Sequence, residues 1–108
     1  MIITTTNEVP GRATLEVLGI AKGTTVRSRH LGRDILAAFR GVVGGEITEL
    51  TKLLAEAREQ ALDRMVTDAE SMGATAIVAM RFTSAEVMSN AAEIVVYGTA
   101  VRIEEPAE

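Results

Sequence analysis

The sequence predicts an α+β fold: a small, mainly antiparallel sheet packed by one long and one short helix. Three observations carry that expectation. Apolar residues recur at three- and four-residue steps from Ile47 to Met72, the spacing of a helix with one buried stripe. Segments rich in Val, Ile and Thr stand on both sides of that stretch and alternate as strands do. Only 3% of the chain is aromatic, so the core has to be built from Val, Ile, Leu, Met and Ala.

The elements follow in order. Ile2 to Thr6 is a short β-branched run, ended by Asn7 and Pro10-Gly11, and predicts a first strand. Ala13 to Arg29 predicts a longer one, with Leu15, Val17 and Gly19 on one face and Leu18 and Ile20 on the other. Gly19 and Gly23 interrupt its alternation, as bulges or close backbone approaches do. Asp34 to Val43 predicts the short helix, closed by Gly44-Gly45. In the long helix the expected stripe is Ile47, Leu50, Leu54, Ala57, Ala61, Met65 and Met72, with Gly73 as a left-handed cap.

Two further strands are expected, Thr75 to Thr83 and Glu93 to Ile103, joined by a polar segment from Ser84 to Ala92. In the first, Ala76, Val78, Met80 and Phe82 alternate with Ile77, Ala79 and Arg81. In the second, Val95, Tyr97, Thr99, Val101 and Ile103 oppose Ile94, Val96, Gly98 and Ala100. Both faces of the sheet are therefore largely apolar. One long helix covers one face, and self-association is the simplest cover for the other.

A length of 108 residues fits one domain, with a core that buries about 65% of the unfolded surface. It is expected to span 1–103, followed by an acidic tail at 104–108 that frays. Eleven basic against fifteen acidic side chains give a net charge of −4, which disfavours a nucleic-acid partner. The absence of cysteine removes disulfides, thiolate nucleophiles and Cys-based metal sites. MIITTTNEVPGR lacks the pattern of a signal peptide and no apolar run is long enough for a bilayer, so no membrane association is expected and a cytoplasmic location is.

Several pieces, taken in order, resemble one family. They are Arg33-Asp34 with Arg40, Gly44-Gly45, Ala57-Arg58-Glu59 between Leu54 and Ala61, Met72-Gly73-Ala74 before Ala76-Ile77-Val78, and Gly98-Thr99-Ala100-Val101. This ordered set is similar to the YbjQ-like family of small proteins labelled heavy-metal-binding domains. The resemblance implies a dodecin-subunit-like α+β protomer in a homopentamer, with sheets of neighbouring subunits forming a barrel-like core. Two departures stand out: Leu50 where relatives can carry an aromatic, and Thr75 where an Asp is frequent.

The candidate sites are few. Gly44 and Gly45 before a helix start, with Arg33 and Arg40, could hold an anion, although Glu46 adds a negative charge there and a tight helix corner uses the same residues. His30, Glu46 and Glu49 are the candidate metal ligands, weighed against acids that merely answer the helix dipole. Met65, Met72 and Met80 lie on apolar stripes and read as core. No catalytic motif and no cofactor motif is visible.

Three functions follow from this reading. The first is a non-enzymatic homo-oligomer that binds a small ligand or ion at its subunit interface. The second is a metal-binding protein using carboxylates and His30. The third is an enzyme acting on a small anionic metabolite.

Overall fold

The computed structural model describes residues 1–28, 46–88 and 91–106. Its elements are strand β1 (Ile2–Ile3), strand β2 (Thr14–Ser28), helix α1 (Glu46–Ser71), strand β3 (Ala76–Met88) and strand β4 (Ala91–Ile103). The short helix expected at Asp34 to Val43 lies outside the described residues. One four-stranded sheet runs in the order β1-β3-β4-β2, with β1 parallel to β3 and the other pairs antiparallel. Among the described residues no helix is long and apolar enough to cross a membrane.

Helix α1 lies on one face of the sheet, over β2 and β4, and the residues between them explain how closely it sits. Ala57, Ala61, Met65 and Ala69, one turn apart, are fully buried and meet Ala21, Ile77, Val96 and Ala100 from the sheet. Three of the four helix residues are alanine, so backbone approaches backbone. Gly23 on β2 completes the approach: a β-carbon there would collide with the Ala61 carbonyl and the Met65 amide. Buried Thr25 then donates from its hydroxyl to the Ala57 carbonyl at 3.1 Å.

Among the helix side chains described, which do not include Ile47 and Leu50, the buried stripe differs from the expected one at two places. Ala69 joins it, whereas Leu54 is exposed, because it lies one turn before Ala57, where Thr25 holds the helix. The helix ends as its sequence predicts. Gly73 takes φ +83°, its amide reaches the Glu70 carbonyl at 3.0 Å, and Ala74 reaches Ala69 at 3.1 Å, a Schellman cap.

Strand boundaries and faces need three corrections. First, β1 is only Ile2–Ile3, although Thr4 and Thr6 continue to bond β3 through their carbonyls. Second, the stretch from Ser84 to Ala92 is not a loop: β3 runs to Met88, β4 starts at Ala91, and those two residues pair.

Third, the alternation slips twice in β2, between Thr14 and Glu16 and between Val17 and Gly19, and twice in β3, between Val78 and Arg81 and between Glu86 and Met88. The shift between Val17 and Gly19 inserts Leu18 toward the helix and returns Ile20 to the face of Val17. The shift between Val78 and Arg81, with Ala79 at φ +54°, places Phe82 on the helix side with Val96 and Arg81 on the other side with Tyr97.

Among the described residues, the second face is covered at one end. Val9, in the turn where Val9 bridges Arg12, packs with Ala76, Val78, Val101 and Ile103. Glu104 secures this end: its amide donates to the Ala13 carbonyl, its carboxylate accepts from the Ala13 amide at 2.9 Å, and its carbonyl accepts from Arg12.

Candidate functional site

Beyond the Val9 turn no described residue covers the second face of the sheet, and register fixes its composition. Residues directly opposite in neighbouring strands share a face. Starting at the covered end, the rows are Val17 with Val101 and Ala76, Ile20 with Thr99 and Val78, Lys22 with Tyr97 and Arg81, Thr24 with Val95 and Thr83, and Val26 with Glu93 and Ala85. Val17, Ile20, Val26 and Tyr97 are 66, 70, 53 and 41% exposed. The face is largely apolar, crossed by the cationic row of Lys22 and Arg81 and carrying Glu93 in the row of Val26.

The edges of the sheet are treated differently. At the middle of β2, the outer edge is occupied by the helix: the Lys22 amide donates to Asp68 at 3.0 Å, and the Thr24 carbonyl accepts from the Arg64 guanidinium. Side chains thus take the backbone groups that a further strand would need. On β3 the outer edge is occupied through Met80 by residues 2–6. The face, rather than the edge at Lys22 and Thr24, is what the protomer leaves available.

The residues singled out from the sequence are placed unevenly. Glu46 and Glu49 open α1, where the positive end of its dipole favours them, and their side chains are not among those described. His30, Arg33, Arg40, Gly44 and Gly45 lie outside the described residues. Met65 is fully buried and Met72 and Met80 pack against the same cluster, as core residues do. Among the described residues no three His, Cys, Asp or Glu side chains come together as a metal site.

Lys22, Tyr97 and Arg81 are brought into one row that periodicity alone does not reveal. The shift in β3 is what puts Arg81 on the face of Tyr97, and a strictly alternating strand with Val78 on the open face places Arg81 opposite. Among the described residues neither Lys22 nor Arg81 has an acidic partner, and the one ion pair joins Arg102 to Glu16 at 3.3 Å.

Among the described residues, one helix packed on one face of a mixed four-stranded sheet defines a small α+β protomer. The chain belongs to the YbjQ family, whose model, described as "Putative heavy-metal-binding", matches residues 1–104. It is 54% identical over 103 residues to a UPF0145 protein of Methanosarcina acetivorans, covering 95% of this chain and 97% of that one. A UPF0145 protein of Thermotoga maritima is 54% identical over 104 residues, with 96 and 98% covered. Among solved structures, a DUF74-family protein of unknown function from Pediococcus pentosaceus superposes with a TM-score of 0.62 at 15% identity, covering 96% of this chain and 98% of that one, a likeness of fold.

Proposed function

We propose that this protein is a non-enzymatic homo-oligomer that binds a small ligand or ion where its subunits meet. The observation that carries the reading is the exposure of Val17, Ile20, Val26 and Tyr97 together on one sheet face. Burying each aliphatic side chain in full contributes about 1.5–3 kcal/mol, so a copy of the same face gains several kcal/mol per protomer by covering it. The sides of the protomer favour the face over the edge, since Asp68 and Arg64 occupy the middle of β2.

The stoichiometry in this reading is five, as the family resemblance implies, with the open faces lining a barrel-like core. Sedimentation of the purified protein at micromolar concentration tests it. A particle five times the mass of the chain is expected; a stable single chain overturns the assembly.

The family description favours a second reading, a metal-binding protein. Its oxygen and nitrogen ligands are Glu46, Glu49 and His30, repeated around the ring. Calorimetry with zinc, copper, nickel and calcium tests it, and the absence of binding tighter than about 10⁻⁴ M removes it.

A further inference from the structure

We propose that the row Lys22, Tyr97 and Arg81 binds a small multivalent oxyanion of the phosphate class on the open face of the sheet. The three residues are direct cross-strand neighbours: Lys22 pairs with Tyr97, and Tyr97 with Arg81. With strands spaced about 4.8 Å apart, the two cationic residues stand about 10 Å apart at the backbone, and each side chain spans half that gap. An anion over Tyr97 is met by Lys22 from one side and by Arg81 from the other once its guanidinium turns from the Thr5 and Met80 carbonyls toward β4.

The donors are free for this use. The Lys22 ammonium and the Tyr97 hydroxyl make no hydrogen bond or ion pair within the described residues. Arg81 commits only Nη1, which donates to the Thr5 carbonyl at 2.9 Å and the Met80 carbonyl at 2.8 Å. Those two bonds hold the guanidinium at the edge of β3 that faces residues 2–6, with Nε and Nη2 unbonded among the described residues, and binding exchanges them for charge-assisted bonds to the anion. Thr99 on one adjoining row and Thr24 and Thr83 on the other add hydroxyls.

The charge distribution points the same way. No acid occupies this row or either adjoining row, in a chain whose net charge is −4. Among the described strand residues the first acid on this face is Glu93, four residues from Tyr97 on β4 and so about 13 Å away along the strand. Asp68 lies at the β2 edge, where its carboxylate already accepts the Lys22 amide. Two cations on a face that becomes enclosed need a counter-charge, because removing them from water unpaired is costly. A dianion supplies it, and the guanidinium and ammonium are the groups that bind such oxygens best.

This inference rests on the assembly reading for the enclosure of the anion, although all three donors come from one chain. The test is calorimetry with inorganic pyrophosphate on the full chain, with sedimentation of the same samples. Saturable binding is expected. Lys22→Gln and Tyr97→Phe each weaken it, Lys22→Gln by at least about tenfold, while Lys52→Gln on the exposed side of α1 stays within about twofold.

No saturable binding, wild-type affinity in either row variant, or an equal loss in Lys52→Gln overturns the site. Lys22-dependent binding by a single-chain particle retains the site and removes the assembly. A pentamer that ignores pyrophosphate does the reverse.

Discussion

The carbonyl of Ala61 occupies the space where a β-carbon of Gly23 would stand. Helix and sheet therefore touch backbone to backbone at this point, with the Met65 amide beside it. Gly23→Ala forces α1 away from β2 and loosens the packing of Ala57, Ala61 and Met65. Because the obstacle is main chain and not a movable side chain, the cost is expected at or above the upper end of about 1–3 kcal/mol. Urea unfolding monitored by circular dichroism measures it; an unchanged midpoint would mean that the helix sits farther out.

The sheet's other enforced approach lies at Ala79, whose φ of +54° is left-handed. Clamps hold it there: its amide donates to the Thr6 carbonyl at 2.7 Å, and the Met80 amide donates to Thr4 at 3.0 Å. A non-glycine residue in this conformation costs about 1–2 kcal/mol, part of which glycine returns through its freer unfolded chain. Ala79→Gly is expected to stabilise by about 0.5–1 kcal/mol, read as a rise in melting temperature. Ala79→Val, with a branched β-carbon in the same conformation, moves it the other way.

Those two sites show what the sequence discloses and what it withholds. The long helix was legible because its period persists through Ala57, Ala61 and Met65, and Gly73 marks its end. β4 was legible because it alternates without interruption from Glu93 to Ile103. In β2 and β3 the period itself changes at Leu18 and at Ala79, and the residues that follow exchange faces, in β3 as far as Glu86. Gly19 signals the first shift, but an alanine gives no such signal for the second. Consequently Phe82 and Arg81 were assigned to the wrong sides, and the row of Lys22, Tyr97 and Arg81 emerges only from strand register. Leu54 failed for another reason: helical period identifies a stripe but not where along the helix the sheet stops supporting it.

Thr25 supplies a measure of buried polarity. It is almost fully buried, and its hydroxyl donates to Ala57 across the helix–sheet junction. Thr25→Val keeps the shape and removes the donor, leaving the carbonyl its ordinary helical partner. A loss of about 0.5–1.5 kcal/mol is expected from chemical denaturation. A loss above about 3 kcal/mol would show that the hydroxyl does more than tie α1 to β2.

The Arg102–Glu16 ion pair provides the opposite case. Both side chains are about half exposed, and the closest approach is 3.3 Å. Water and salt weaken such a pair, so Glu16→Gln is expected to change stability by less than about 0.5 kcal/mol. Thermal melts at low and high salt check this, and a clear salt-dependent loss would indicate that the pair is shielded by a neighbouring copy.

The open face gives the prediction with the largest reach. Val17 and Ile20 stand on adjoining rows, and both side chains are mostly in water in the protomer. Replacing them together with Lys therefore removes little intrachain packing, and the fold of a single chain should tolerate it within about 1 kcal/mol. An assembly built on that face responds differently, because each copy must then bury two unpaired charges against its neighbour. Val17→Lys/Ile20→Lys is expected to sediment as a single chain while keeping the wild-type circular dichroism spectrum. If the double variant assembles as the wild type does, copies meet through some other surface, and the apolar patch requires a different occupant.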